Sequence, residues 1–357
     1  MEMYILLAAS LIILGISFES INSALESKVQ KKLPYYFFII PSFALVFFVS
    51  AFRGDFMTDY ANYRDRFDSL SMYSFTDLFR YDFDIEFGYV LLNGLIHLFT
   101  DNSVYLFMIT TLIILIGFYY QISKYSVNIW LSILMFVTIG SYYASFNITR
   151  QILATAIIFA GSKFLYERKF LKFLLVVILA ALFHQSSLIM IPFYFILNFR
   201  INYRNLLIML VGSAIVVMYF DSILSFAQKF VYSNYTEQAY GMTGQSFTNV
   251  ILPIALLVFS LFHVKKLDSK NNMHRIWFNA IIFYAVFNIL GLQVLMMERL
   301  GRFFAPYALL LIPFIFSKMQ DRHLRFVYTL CLIVLLVAYN LVILYDSTFD
   351  PYYFIWE

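Results

Sequence analysis

Long apolar stretches separated by short polar loops run along almost the whole of this chain. A membrane-spanning helix needs roughly 17 to 25 predominantly apolar residues. Stretches of that kind fall near 2–19, 34–51, 104–122, 128–146, 151–166, 205–220, 248–264, 276–296, 303–317 and 326–345. Two regions depart from the simple pattern. Residues 86–99 are few and closely followed by Asp101 and Asn102, which predicts a re-entrant or interfacial helix. Residues 173–199 are too many for one upright span, and His184-Gln185-Ser186-Ser187 interrupts their middle. They are expected to form two short helices meeting at a break. The first stretch, Met3 to Phe18, has neither a basic segment before it nor a small-residue cleavage site after it, so it reads as a retained span.

Composition narrows the class further. Of 357 residues, 62% are hydrophobic and 13% charged, with a mean hydropathy of +0.78, far from the range of a soluble domain. The expected fold is all-α, a polytopic transmembrane helical bundle forming a single integral-membrane domain over 1–357. The single cysteine, Cys331, lies in an apolar run and excludes an intrachain disulfide or a thiolate metal cluster. The net charge of +4 is spread through the loops between apolar stretches. That fits orientation in a membrane better than nucleic-acid binding.

Charge position then predicts topology. Lys28, Lys31, Lys32, Lys124, Arg168, Lys169, Lys172, Arg200, Arg204, Lys265, Lys266, Lys270, Lys318, Arg322 and Arg325 share the cytoplasmic side if 86–99 does not cross and 173–199 goes out and returns. About 12 crossings follow, with both termini outside and external loops at 52–87 and 221–247. Arg53, Arg64, Arg66, Arg80, Arg150, Arg299 and Arg302 fall on the outer side. Arg64, Arg66 and Arg80 have abundant acidic neighbours and are expected to pair with them. The other four lie at helix boundaries, and a bilayer protein with arginines there is expected to bind an anionic group.

Several short clusters could carry chemistry. In the first external loop, Arg53 precedes Asp59-Tyr60 and Tyr63, with the two tyrosines on one helical face; a solvated loop with Arg53 paired to Asp55 or Asp59 is the alternative. Arg150-Gln151 opens a helix after a polar turn, where a guanidinium can fork onto phosphate oxygens beside free N–H groups, or simply snorkel. His184 and its polar neighbours lie within an apolar segment, where such groups normally face a cavity or another helix. Glu298, Arg299 and Arg302 lie between two apolar stretches; Arg299 and Arg302 point the same way, and Glu298 can neutralise one of them. Tyr352 belongs to a short aromatic tail that reads as an external anchor. Metal chemistry is poorly supported, because the five histidines are scattered and Asp82-Phe83-Asp84 lacks neighbouring ligands. No Walker A, dinucleotide-binding or nucleophile-elbow glycine pattern occurs.

Taken in order, Arg53 with Asp59-Tyr60 and Tyr63, Glu86-Phe87-Gly88-Tyr89, Arg150-Gln151-Ile152-Leu153-Ala154, His184-Gln185-Ser186-Ser187, and Arg299 with Arg302 resemble the EpsG-like branch of the Wzy-type polysaccharide polymerases. These bacterial inner-membrane enzymes assemble O-antigen or exopolysaccharide. The resemblance spans essentially the whole chain. It implies a GT-C-like polymerase or ligase architecture and a periplasm-facing site. The reaction it implies transfers a growing glycan from undecaprenyl pyrophosphate to the non-reducing end of a lipid-linked repeat unit. The expected partners are that donor and acceptor, the bilayer and a chain-length regulator protein; no cofactor or metal is expected. His184, Asp59, Glu86 and Arg150 become catalytic candidates. Arg53, Tyr60, Tyr63, Gln151, Gln185, Arg299, Arg302 and Tyr352 become candidates for holding pyrophosphate or glycan. A flippase of lipid-linked oligosaccharide and an O-antigen ligase are the competing functions.

Overall fold

The computed structural model describes residues 2–24, 32–56, 58–200, 202–219, 244–268, 270–345 and 351–357. Regular structure among them is helical, apart from one isolated backbone bridge between Arg53 and Phe354. The chain forms two compact units, residues 1–190 with 312–357 and residues 191–311.

The first unit contains α1 (Glu2–Ala24), α2 (Lys32–Ala51), α3 (Thr58–Leu70), α4 (Phe87–His97), α5 (Val104–Tyr125), α6 (Ile129–Thr138), α7 (Ser141–Asn147), α8 (Thr149–Ala160), α9 (Ser162–Tyr166) and α10 (Phe170–Ala181). At the unit boundary α11 (Met190–Leu197) begins, and the second unit continues with α12 (Tyr203–Met218), α13 (Thr248–Phe262), α14 (Asn272–Gly291) and α15 (Leu295–Gly301). The chain then passes through α16 (Ala308–Ser317) to α17 (Arg322–Tyr345), which belongs to the first unit.

The expectation of about 12 crossings is wrong. Among the described residues four helices, α1, α5, α14 and α17, are long and apolar enough to cross a membrane. The number rises to six if α6 with α7, bent by 41°, and α15 with the 305–317 segment, bent by 40°, each count as one span. The other apolar stretches are divided by turns that a hydropathy window averages over. Residues 151–166 split at Gly161 into α8 and α9; 173–199 split into α10 and α11; 248–264 yield α13, only 15 residues long. The 86–99 stretch is the 11-residue α4. The GT-C-like arrangement that the family resemblance implied is withdrawn with them. Of the second expected loop, 221–247, only Gly244 to Phe247 lie within the described residues.

In the first unit the helices run back and forth between two ends. The lysines lie at one end: Lys124 in the last turn of α5, Lys163 in α9 and Lys169 just before α10. At the other end α2 finishes at Ala51, α5 begins at Val104, α8 begins at Thr149 and α10 finishes at Ala181. Close helix approach keeps these ends together. A Cβ on Gly117 of α5 would lie 2.8 Å from the Ala156 carbonyl oxygen of α8, the small-residue contact that lets apolar helices pack backbone to backbone. The α6–α7 bend is set by Gly140, whose φ of 93° is in the left-handed region where a side chain would be strained. This bend aims Asn147 at the first loop.

That loop is folded. Tyr60, Tyr63, Phe67 and Leu70 form one row of α3 and are all buried, as apolar positions three and four apart on a docked helix must be. His97 Nε2 lies 2.8 Å from the Phe67 carbonyl oxygen and ties the end of α4 to α3. The tail also docks here: Gly54 N–H donates to Tyr353 O at 2.8 Å, and Ile355 N–H donates to Phe52 O at 3.0 Å.

Candidate functional site

Glu86 is the residue on which three sequence clusters meet. It occupies the N-cap position of α4 in extended backbone, where a carboxylate is favoured by the free N–H groups of the first turn. Its Oε2 accepts a hydrogen bond from Arg150 Nη1. Its Oε1 lies 3.3 Å from His184 Nδ1 and accepts from the Gln185 backbone N–H, also at 3.3 Å. The carboxylate is 11% exposed, so this is a largely desolvated ion pair with a histidine beside it. Burial by itself raises the Glu86 pKa; the His184 ring and the Arg150 charge outweigh it and hold the carboxyl at about 2. Hydrogen bonding and opposite charge both favour the ionised form.

Local backbone structure produces this meeting. Glu86 reaches His184 because Gly88 N–H donates to the Leu182 carbonyl at 2.8 Å. A Cβ at Gly88 would lie 2.7 Å from that same oxygen. The glutamate and the glycine two residues later therefore act together, one aiming its side chain and the other letting the backbones touch. His184 is itself in extended backbone, φ −159° and ψ 110°, at the break between α10 and the short 3-10 turn Gln185–Ile189 that leads into α11.

Arg150 is clamped on another side. Its guanidinium donates to the Tyr63 phenol oxygen and lies 5.9 Å from the Tyr89 ring centroid, within cation–π range. Burial pushes the Tyr63 pKa up against the opposing pull of Arg150, so the phenol stays neutral. Arg150 Nε has no hydrogen-bond partner among the described residues. Beside Arg150 opens a cavity of about 570 Å³ lined by Asp59, Asn62, Tyr63, Asp65, Arg66, Ser69, Ile85 and Arg150. Asp59 is brought there because its backbone N–H donates to Asn147 Oδ1 at 3.0 Å, which seats the start of α3 on the end of α7.

Arg53 is elsewhere. It is 1% exposed, with Cζ 4.9 Å from the centroids of both Phe107 and Phe146 and 5.8 Å from Tyr60. Its Nη1 donates to the Ser50 carbonyl, and burial lowers its pKa to about 10. Neither carboxylate expected to pair with it does so: Arg64 takes Asp55. Tyr60 stacks on Phe107 at 4.0 Å and is part of the same cage. Tyr352 donates its hydroxyl to Val49 O at 2.7 Å and packs edge-on against Tyr4 and Phe56. Gln151 is buried in α8. These four are held in the packing behind the pocket and do not line it.

The last cluster belongs to the second unit. There Arg302 Nη2 pairs with Glu298 Oε1 at 2.7 Å across one helical turn. Arg299 lies in the last turn of α15, which Arg302 caps. Gln245, ahead of α13, donates from Nε2 to Asn288 O near the end of α14 at 2.5 Å.

Asn62, Arg66, Ser69 and Asn147 were not among the site residues expected from the sequence, and Tyr89 entered only as part of the Glu86-Phe87-Gly88-Tyr89 motif. A signal existed for the first three: Asp59, Asn62, Arg66 and Ser69 recur at three- and four-residue spacing, one continuous polar stripe. Arg66 also departs from its expected pairing. Arg64 pairs with Asp55 and Asp65, and Arg80 with Asp77, but no carboxylate among the described residues lies within ion-pair distance of Arg66. Also among the described residues, no three His, Cys, Asp or Glu side chains gather as they would around a metal ion.

Helices long and apolar enough to span a bilayer, with a half-buried Glu–Arg–His cluster whose arginine lines a polar pocket in the first unit, are those of a polytopic membrane protein. The chain belongs to the EpsG family, whose sequence profile matches residues 34–356. No curated protein and no solved structure matches it.

Proposed function

We propose that this protein is a membrane glycosyltransferase of the polymerase type. It moves a growing glycan from a polyprenyl pyrophosphate carrier to a lipid-linked repeat unit, on the outer face of a bacterial inner membrane. Its EpsG membership, in a family associated with polymerases, supports the class of activity. The observation that carries the reading is the Arg150–Glu86–His184 cluster, whose Arg150 lines the pocket.

The chemistry follows from the groups present. Departure of pyrophosphate builds negative charge, which a guanidinium at a helix N-terminus stabilises in a partly dry site. Arg150 is such a group, and it lines the pocket. Attack requires an acceptor hydroxyl to lose its proton. A carboxylate held at about 2 is a weak base at neutral pH, so Glu86 acts by position and charge. By lying against His184 Nδ1 it favours the tautomer with the proton there and leaves the other ring nitrogen able to accept the hydroxyl proton. Asp59 is the second candidate base on the pocket wall.

The direct test is synthesis by the purified full-length protein from lipid-linked repeat units of the native polymer. Products of two or more repeats are expected, and their loss in Arg150→Ala at equal protein level. Deletion of the gene should leave carrier bearing a single repeat on the outer leaflet. Single repeats confined to the inner leaflet would instead mark a flippase, and polymer left on the carrier but not passed to its final acceptor would mark a ligase.

A further inference from the structure

Beside Arg150 the pocket is lined by one face of α3, and apart from Asp59 and Tyr63 the residues of that face have no part in the Glu86 cluster. Asp59, Asn62, Arg66 and Ser69 form its pocket-facing stripe. The adjacent stripe, Tyr60, Tyr63, Phe67 and Leu70, is buried and fixes the orientation of the helix. The polar stripe is therefore held in place by the core.

Asn62, Arg66 and Ser69 are exposed and line the cavity, so their polar groups are open to a ligand. Opposite charges there would normally be paired across one turn, as Arg80 and Asp77 are in the same loop. Arg66 is left with five N–H donors facing a cavity and no carboxylate among the described residues in ion-pair range. Along the helix the groups alternate in character: a carboxylate acceptor at Asp59, an amide that both donates and accepts at Asn62, a guanidinium donor at Arg66 and a hydroxyl at Ser69. From Asp59 to Ser69 the axis covers about 15 Å at the helical rise, longer than one pyranose ring. On α3 itself Asp59 and Asp65 line the cavity together with Arg66, which disfavours a second anion site there. A polyhydroxylated chain uses both donors and acceptors.

We infer that this stripe is a glycan subsite, in which Asn62, Arg66 and Ser69 bind the hydroxyls of a sugar chain laid along α3 and determine which repeat unit is accepted. It rests on the polymerase reading in taking the ligand to be a glycan. These three are specificity-determining residues, separate from the groups that meet on Glu86.

The probe is the phosphate-free oligosaccharide repeat released from the host's own surface polymer, titrated against the full-length protein in detergent. Arg66→Gln, which loses a charge-assisted hydrogen bond, and the double variant Asn62→Ala/Ser69→Ala, which loses two neutral ones, are each expected to weaken its binding about tenfold. Asp68→Asn, on the same helix but outside the pocket, should bind as the parent does and shows that α3 is intact. In the polymerisation assay the stripe variants should raise KM and leave kcat within about twofold, whereas Arg150→Ala lowers kcat. Unchanged oligosaccharide binding in both stripe variants overturns the inference. So does a result in which Arg66→Gln weakens inorganic pyrophosphate competition but not oligosaccharide binding. If the protein forms no polymer but binds the oligosaccharide in an Arg66-dependent way, the polymerase reading falls and the subsite stands.

Discussion

Glu86 and Arg53 are both buried charges, and their surroundings give them different work. Glu86 has two cationic or potentially cationic neighbours, one of which, Arg150, lines a cavity. Its pKa is depressed to about 2, so the stability it contributes is fully present above the ordinary carboxylate range, near 4.5, and is lost as pH falls from there toward 2. Melting temperature in detergent should be flat from pH 5 to 8 and drop below pH 4.5, with the acid-side drop reduced in Glu86→Gln. The same substitution should lower polymer synthesis roughly 100-fold at neutral pH, because Arg150 and His184 lose their shared anchor. Arg53 has aromatic faces around it instead. Arg53→Ala is expected to cost about 2 to 4 kcal/mol of stability and to reduce the amount of folded protein. Arg53→Lys should recover little, since an ammonium does not lie flat between two rings. Folded yield and activity per folded molecule separate the two cases: Glu86→Gln loses the second, Arg53→Ala the first.

Helix ends do most of the positioning at the next scale. The start of α4 and the end of α10 touch at Gly88 and Leu182, which places the Glu86 side chain against His184 without any long loop between them. Gly88→Ala puts a methyl group where the Leu182 backbone lies, so the two helix ends must separate. Expected are a loss of about 1 to 3 kcal/mol and a fall in activity larger than that loss explains, read as melting temperature against polymer synthesis. The start of α3 is fixed in a similar way by Asn147 at the end of α7. Much of this was legible in the sequence as local signals. The Glu86-Phe87-Gly88 run, the polar break at His184 and the arginine at the start of α8 were each recognisable as helix boundaries. That the carboxylate of one boundary would pair with groups 64 and 98 residues away was not, because periodicity reports which face a residue is on and not which helix it meets.

Over the whole molecule, the separation of lysines from the pocket bears on orientation. Within the first unit the pocket opens where α5 begins, and Lys124 lies where α5 finishes. Under the positive-inside rule the lysine end faces the cytoplasm. In a Cys331→Ser background, Asp68→Cys should react with an impermeant maleimide in intact spheroplasts, and Val127→Cys only after permeabilisation. The reverse pattern would put the pocket in the cytoplasm, where pyrophosphate-linked glycans awaiting polymerisation on the outer leaflet cannot reach it.

Composition and hydropathy by themselves determined that the chain is helical and membrane-embedded, since a backbone in hydrocarbon must satisfy its own hydrogen bonds and a long apolar run leaves few other ways to do so. The order of short polar clusters pointed to the family. The number of helices long enough to cross was decided only by tertiary structure, because turns such as Gly140 and the His184 break act at single residues that an averaged window does not resolve. The same holds for the site. Which arginine lies caged behind the pocket, which is clamped to a carboxylate and which is left facing the cavity depends on the neighbours that packing brings within a few ångströms. Arg53, Arg150 and Arg66 are chemically identical along the chain, and only their surroundings in the fold assign them different work.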